Sequence, residues 1–357
     1  MNKKVVIGMS GGVDSSVAAY MLKQQGYDVI GVIMQIWQDE ERCDIEENGG
    51  CCGYSAVNDA RKVADKLDIP FYVLNFKQEF KNKVIDYFID EYYLGRTPNP
   101  CIACNRYVKW ESLLTKAMSF GADYIATGHY AKINRLDNGR YAIQMDFNNP
   151  KDQSYALFNL TQKQLEHTLM PIWGMSKDEV RRLAGELGLN TANKPDSQEI
   201  CFIADNDYGA YISKNGGKPI IPGDFVDEDG NVLAKHKGII YYTVGQRKGL
   251  GIAFGKPMFV KSINPATNQV ILCEGDKVFS QTLTACDINL MGETEFANRE
   301  ALVKIRYSHK PAKCKFTYEN GKIECEFDTP QRAVTPGQAA VFYDFNGNIL
   351  CGGTIEK

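Results

Sequence analysis

One stretch constrains this chain more than any other: Val5-Val6-Ile7-Gly8-Met9-Ser10-Gly11-Gly12-Val13-Asp14-Ser15-Ser16. The β-branched run reads as a buried strand. From Asp14 to Gln25 the apolar residues Val17, Met21 and Leu22 fall on one side of a helix that Gly26 ends. Gly11 and Gly12 permit a tight turn in which successive backbone N–H groups face an anion, and the helix start adds the positive end of its dipole. Ser10, Ser15 and Ser16 supply hydroxyl donors. Asp14 is out of place beside a phosphate unless a magnesium ion (Mg2+) lies between them. No Gly-Lys-Ser/Thr follows, so the run is not a Walker A loop, and it is not a dinucleotide fingerprint.

The strand–helix alternation continues through the first half. Val29–Met34 and Phe71–Asn75 read as strands. Between them, residues 55–67 place Val57, Ala60, Val63, Ala64 and Leu67 on one helical stripe. Phe80, Val84, Tyr87 and Phe88 mark a further helix, residues 95–105 read as a Gly/Pro/Asn-rich loop, a helix opens near Tyr107, and Tyr124–Thr127 is a strand. Such alternation predicts an α/β fold with a parallel sheet covered on both faces. Asp137-Asn138-Gly139 predicts a hairpin, and Ser176 with Glu179 a capping box opening a helix that closes near Gly188. Beyond about residue 205 helical periodicity fades and hairpin signals (Asp229-Gly230, Asn320-Gly321, Asn346-Gly347) take over.

A chain of 357 residues is expected to hold two or three domains at roughly 100–200 residues each. The boundaries fall at 1–204, 205–277 and 278–357: a catalytic α/β domain, a small, mostly β central domain, and a C-terminal β-barrel or sandwich. Net charge is −3, which argues against a protein that holds nucleic acid by charge alone. Local basic runs remain, Lys304, Arg306, Lys310, Lys313 and Lys315 in one stretch and Lys235, Lys237, Arg247 and Lys248 in another. No apolar run is long enough to span a membrane, and Met1-Asn2-Lys3-Lys4 is no secretory signal, so the expectation is a cytoplasmic protein with no membrane partner.

Eleven cysteines are many for such a protein, and a reducing compartment disfavours disulfide scaffolding. Cys273, Cys286, Cys314, Cys325 and Cys351 lie singly in strand-like segments and read as core filling. Cys101 and Cys104 form a C-x-x-C pair after the stiffening Pro98 and Pro100, and Cys201 stands in Gln198-Glu199-Ile200-Cys201-Phe202. Thiols so spaced suit redox chemistry, metal ligation or a nucleophile. A structural zinc on Cys101, Cys104, Cys51 and Cys52 is one alternative, although adjacent thiols such as Cys51-Cys52 rarely ligate one ion together. Among the histidines, His129 follows Gly128 at a strand end, where an open α/β sheet binds ligands. His167, His236 and His309 read as packing or surface residues.

The glycine-serine loop resembles the Ser-Gly-Gly-x-Asp-Ser loop of N-type ATP pyrophosphatases, which split ATP between its α and β phosphates and adenylate a carbonyl oxygen. Further motifs narrow the likeness: Gly95–Asn105, Thr127–Ala131, Lys151-Asp152-Gln153-Ser154-Tyr155, Cys201-Phe202-Ile203, Tyr242–Arg247 and Thr335–Ala339. In this order they resemble the tRNA-specific 2-thiouridylases, which place sulfur on the wobble uridine of the anticodon.

That resemblance implies that Gly8, Met9, Ser10, Gly11, Gly12, Val13, Asp14 and Ser15, with Met34 and Gly128, hold ATP. It implies that Cys104 is the nucleophile and that Cys201 carries a persulfide. Asn99, Pro100 and Cys101 would meet the target base, while His129, Lys151, Asp152, Gln153, Arg306, Tyr307 and Gln338 would touch the tRNA anticodon stem-loop. A sulfur donor such as a cysteine desulfurase or persulfide relay protein would be a second partner. The better-known family members carry aspartate, a candidate general acid/base, where this chain has Cys101. Three thiols, Cys101, Cys104 and Cys201, also suit a 4Fe–4S cluster with one open iron. Sulfur delivery by a persulfide that ends in a Cys104–Cys201 disulfide, or by a cluster-bound sulfide, therefore both stand open. So do another adenylating ligase of the same superfamily, thiolation at a different tRNA position, and a non-catalytic RNA-binding protein with a structural metal.

Overall fold

The computed structural model describes residues 2–36, 54–195, 200–203, 207–252 and 254–356. Cys43, Cys51 and Cys52 lie outside them. The chain forms two compact units, one of Met1–Val84, Cys101–Asn206 and Gly347–Ile349, the other of Ile85–Pro100, Asp207–Asn346 and Leu350–Lys357.

The first unit is built on a parallel sheet. Its strands are β1 (Lys4–Gly8), β2 (Asp28–Gln35), β3 (Phe71–Asn75), β4 (Tyr124–Ala126) and β7 (Thr168–Leu169), in the order β3-β2-β1-β4-β7. Every pairing is parallel. Helices α1 (Val13–Gln24) and α2 (Tyr54–Lys66) bury the stripes read from the sequence, with Val17, Leu22, Ala60, Val63 and Ala64 fully excluded from solvent. Strand order reverses between β1 and β4, so the loops after these two strands open side by side at the carboxyl end of the sheet, where such folds bind ligands. The hairpin at Asp137–Gly139 joins β5 (Lys132–Arg135) to β6 (Tyr141–Gln144) as expected.

Residues 95–105, expected as a loop, are helical from Pro100 onward. The rod runs through α5 (Pro100–Ala103), a π-helical stretch Cys104–Leu113 and α6 (Leu114–Ser119). Proline suits the first helical position, where its fixed φ is preorganised and its missing N–H is no loss. Cys101 and Cys104 therefore lie on the first turns of a helix rather than on an extended loop. A short helix, α3 (Lys77–Phe80), continues through a π-turn, Lys81–Ile85, into α4 (Asp86–Tyr93). After α7 (Gln162–Glu166) comes α8 (Lys177–Glu186). The predicted capping box opens α8: Ser176 Oγ accepts from Glu179 N at 3.2 Å and Glu179 Oε2 accepts from Ser176 N at 2.7 Å.

The second unit contains one further helix where periodicity was expected to have faded, α9 (Tyr208–Asn215), opened by Asp207 accepting from Ala210 N at 2.9 Å. A four-stranded sheet follows, ordered β10-β11-β8-β9, from β8 (Gly223–Val226), β9 (Val232–His236), β10 (Met258–Asn264) and β11 (Gln269–Glu274). The last element is a closed barrel, not a sandwich. Its strands are β12 (Phe279–Leu290), β13 (Arg299–Lys304), β14 (Ala312–Glu319), β15 (Lys322–Arg332), β16 (Ala339–Tyr343) and β17 (Ile349–Ile355). Closure depends on a kink in β12. Asp287 at φ 50° accompanies a register shift between Cys286 and Asn289, so the first part of the strand pairs with β15 and the last part with β17.

Alternation along β14 and β15 points Cys314, Phe316, Ile323, Cys325 and Phe327 inward, all 3 % exposed or less. Cys325 bonds to Cys314, and that contact followed by burial pushes its thiol far above the ordinary range; burial does the same to Cys351. Cys325 and Cys351 are protonated core fillers, and Cys273 and Cys314 are also buried, as expected, whereas Cys286 is half-buried. Phe316 stacks between Phe296 (4.9 Å) and Phe342 (4.4 Å). Phe316→Ala is expected to cost about 3–5 kcal/mol through the cavity it leaves, read as a shift of the barrel's transition in chemical denaturation followed by tyrosine fluorescence.

Candidate active site

The loop after β1 is braced by its own side chains. Met9 N donates to Val32 O at 2.7 Å, Ser10 N to Ser15 Oγ at 3.1 Å, Ser15 Oγ to Gly12 O at 3.2 Å, and Ser16 Oγ to Gly12 O at 2.8 Å. Thr191 Oγ1 donates in turn to Ser16 Oγ at 3.1 Å. Gly12 occupies the N-cap of α1 and no side chain caps it, so the helix start presents backbone donors in the manner of an anion cradle. Two glycines make the close approach. Gly11 has φ +69°, and a Cβ there would stand 2.5 Å from Ala56 O. At Gly128, after β4, a Cβ would stand 2.6 Å from Ser15 N and 2.7 Å from Asp14 C. The loops expected to form the nucleotide site thus meet backbone to backbone. Val13 is buried and Met34 half-buried at the end of β2.

Asp14 has two partners among the described residues of the protein. Lys177 Nζ donates to both of its carboxylate oxygens at 2.8 Å, and Tyr130 hydroxyl donates to Oδ1 at 2.6 Å. Neither partner was legible as a site residue. Lys177 belongs to the capping-box sequence of α8, and Tyr130 is one apolar-looking position in Gly128-His129-Tyr130-Ala131.

His129 is half-buried, with Nδ1 2.6 Å from Thr127 Oγ1 and Nε2 3.5 Å from Lys109 Nζ. An ammonium only donates, so Nε2 accepts and Nδ1 carries the proton. Burial, and then the nearby Lys109 charge, hold this imidazole well below its usual 6.5. It is neutral at pH 7, a hydrogen-bonding group rather than a cation for phosphate.

The thiols sit on two segments that share one support. Cys101 is exposed, Cys104 and Cys201 are half-buried, and all three are free of disulfides. Cys201 lies in a tight turn closed by Ile203 N donating to Ile200 O at 2.9 Å, and Phe202 seats edge-on against Phe80 of α3 at 5.7 Å. The same short stretch reaches the cysteine-bearing rod, with Lys83 Nζ over the Tyr107 ring at 4.9 Å. Among the described residues no three His, Cys, Asp or Glu side chains gather closely enough to hold a metal ion. The three-thiolate cage that a cluster needs is therefore not formed in this arrangement, and Cys51 and Cys52 of the zinc alternative lie outside the described residues.

Several residues expected to touch tRNA spend their polar groups internally. Asp152 is 8 % exposed. Its Oδ2 accepts from Asp146 N at 2.9 Å, and its Oδ1 from Ser154 Oγ at 2.6 Å. Gln153 is locked to Tyr130, its Oε1 accepting from Tyr130 N at 3.0 Å and its backbone N donating to Tyr130 O at 2.9 Å. Both shape the loop; Lys151, beside them, is half-buried. In the second unit Gln338 Nε2 donates to Thr97 O at 2.8 Å, Thr97 N donates to Pro336 O at 2.8 Å, and Thr97 Oγ1 lies 3.4 Å from Thr243 Oγ1. Three motifs far apart in sequence thus clasp the segment leading to Asn99 and Pro100. Also in this unit, Arg306 and Tyr307 stand in the turn after β13, Tyr307 43 % exposed and Arg306 Nη1 donating to Arg332 O at 3.4 Å. Asn105, unremarked in the sequence, is 3 % exposed; its Nδ2 donates to Ala156 O at 2.8 Å while Oδ1 has no protein partner.

A parallel sheet with a glycine-lined anion cradle at its switch point, joined to two β domains, defines a nucleotide-using α/β protein. Family models match in the same order: a tRNA methyl transferase HUP domain over residues 3–205, a tRNA methyl transferase PRC-barrel domain over 210–274, and an aminomethyltransferase β-barrel domain over 280–355. The tRNA-specific 2-thiouridylase MnmA of Lachnoclostridium phytofermentans is 62 % identical over 99 % of this chain and 100 % of its own length. Those of Clostridium perfringens and Acetivibrio thermocellus are 57 % and 58 % identical, each over 99 % of both chains. The chain belongs to the tRNA-specific 2-thiouridylase family. A 4-thiouridine synthetase solved with RNA and ATP is a far more distant likeness, 19 % identical over 57 % of this chain and 46 % of its own, at a TM-score of 0.34.

Two outcomes follow from this geometry. Gly128→Ala is expected to weaken ATP binding at least about tenfold, a loss of ~1.4 kcal/mol, in isothermal titration of the full chain. For His129, the unfolded chain takes a proton near pH 6.5 and the folded site resists it, so stability falls as pH drops below about 6.5. His129→Gln should flatten that part of the stability-versus-pH curve, measured by urea denaturation between pH 7.5 and 5.5.

Proposed function

We propose that this chain 2-thiolates the wobble uridine of tRNA, consuming ATP. The observation that carries the reading is the uncapped start of α1, packed backbone to backbone through Gly11 and Gly128, in a chain that matches a 2-thiouridylase over 99 % of its length. The domain models are described by methyl transfer, but that chemistry has no use for a polyphosphate cradle. Activation of a carbonyl oxygen does. The reading assigns residues 1–204 to catalysis, 205–277 to a central β domain and 278–357 to a barrel that grips tRNA, with Arg306 and Tyr307 on its surface.

A uridine carbonyl is a poor electrophile because oxide is a poor leaving group. In the proposed sequence the C2 oxygen attacks the α-phosphorus of ATP, and pyrophosphate leaves toward the N–H groups of the cradle. Magnesium would arrive as the counterion of ATP; the carboxylate expected to meet it, Asp14, is held by Lys177. The terminal sulfur of a Cys201 persulfide, supplied by a desulfurase or relay protein, then attacks C2 and AMP departs. Cys104 thiolate attacks the Cys201 sulfur, the S–S bond to the base breaks, and 2-thiouridine leaves with a Cys104–Cys201 disulfide behind. A thiol reductant returns the two electrons. In this reading no step passes through a cluster. The target base must be extruded from its stack to reach the thiols, and phosphate contacts should make tRNA binding weaken with salt.

The test is mass spectrometry of nucleosides after incubating tRNA with ATP, a persulfide donor and the full chain. Product should require ATP and vanish in Cys201→Ser and in Cys104→Ser, with tRNA affinity kept. Undiminished thiolation by Cys201→Ser would end the persulfide route.

A further inference from the structure

The site contains an ion pair that neither the fold nor the proposed chemistry requires. Lys177 is the first residue of α8, and the capping box of Ser176 and Glu179 fixes where that helix starts. From there its side chain reaches back to the first turn of α1, a partner 163 positions earlier, and straddles the Asp14 carboxylate with two bonds of 2.8 Å. Its side chain is 12 % exposed and that of Asp14 31 %. An ammonium so enclosed is costly unless a counter-charge meets it, and removing one member strands the other. Tyr130, on the loop after β4, holds the same carboxylate from another direction at 2.6 Å.

A carboxylate at the mouth of an anion cradle opposes the ligand the cradle is built for. Repulsion grows with each phosphate charge that enters. A Walker loop supplies its own lysine; this loop has none between Gly8 and Ser16. A fixed cation on Asp14 cancels the opposing charge and leaves the backbone donors and helix dipole as the net field.

We propose that Lys177 is the cation of the nucleotide site: a positioning and charge-balancing residue that acts through Asp14 to let the loop accept a polyphosphate. This rests on the reading of Gly8–Ser15 as the nucleotide loop. Tyr130 is the neutral half of the device, fixing the carboxylate's orientation without altering its charge.

The prediction separates charge from shape by comparing ligands that differ in phosphate number. Isothermal titrations of the full chain with ATP and with adenosine, both in magnesium buffer, compare the wild type with Lys177→Met and Lys177→Arg. Lys177→Met should weaken ATP at least tenfold and adenosine less than twofold, and Lys177→Arg should stay within threefold of the wild type for ATP. ATP affinity within twofold of the wild type in Lys177→Met would overturn the proposal. So would a parallel loss of adenosine, which would make the residue a brace for the loop's shape. If circular dichroism shows Lys177→Met unfolded, Lys177→Gln replaces it under the same thresholds. A wild-type chain that binds neither ligand would instead defeat the nucleotide-loop reading itself, a separate result from the failure of the variant.

Discussion

Everything in the first unit depends on backbone meeting backbone at the start of α1. Gly11 lies against Ala56 and Gly128 against Asp14 and Ser15, at distances that no side-chain carbon tolerates. The Gly128 contact brings the loops after β1 and β4 together at the point where strand order reverses, and the Gly11 contact seats the first of them on α2. They also leave the first-turn N–H groups of α1 without a side-chain cap. In a folded protein such donors need a partner, and an anionic ligand is the partner that the dipole favours. The serines beside the helix start brace the loop instead of capping it, with Ser15 and Ser16 both turned onto Gly12 O.

Around that cradle the chain spends polar groups on holding loops rather than on display. Asp152 ties Asp146 and Ser154 together within its loop, and Gln153 fastens that loop to Tyr130, whose hydroxyl in turn reaches Asp14. In the second unit Gln338, Thr97 and Thr243 do the same for the segment leading to Asn99. Among the residues that these motifs mark, Asp152 is 8 % exposed with its carboxylate bonded inside its own loop, whereas Tyr307 is 43 % exposed.

Much of the architecture was legible. The strand at Phe71–Asn75, the helices over 13–24 and 54–66, the hairpins at Asn138-Gly139 and Asn320-Gly321 and the capping box at Ser176 all follow from patterns spanning a few residues. The errors were local as well. Pro98 and Pro100 together suggested an extended loop, yet the second proline begins a helix, because the first turn is the one helical place where proline costs nothing. Helix α9 was missed because its eight residues are too few for periodicity to stand out.

By itself the sequence determined the order of strands and helices, the phosphate-cradle loop, the position of the paired cysteines and the family, because each is written in contiguous residues or in motifs met in order. Only the tertiary structure decided that Asp14 is met by Lys177 and that β12 kinks to close a barrel. The physical reason is range. Propensity and periodicity act within a turn or a strand, whereas an ion pair between positions 14 and 177 exists only once the sheet has set its strand order and α8 has packed against α1.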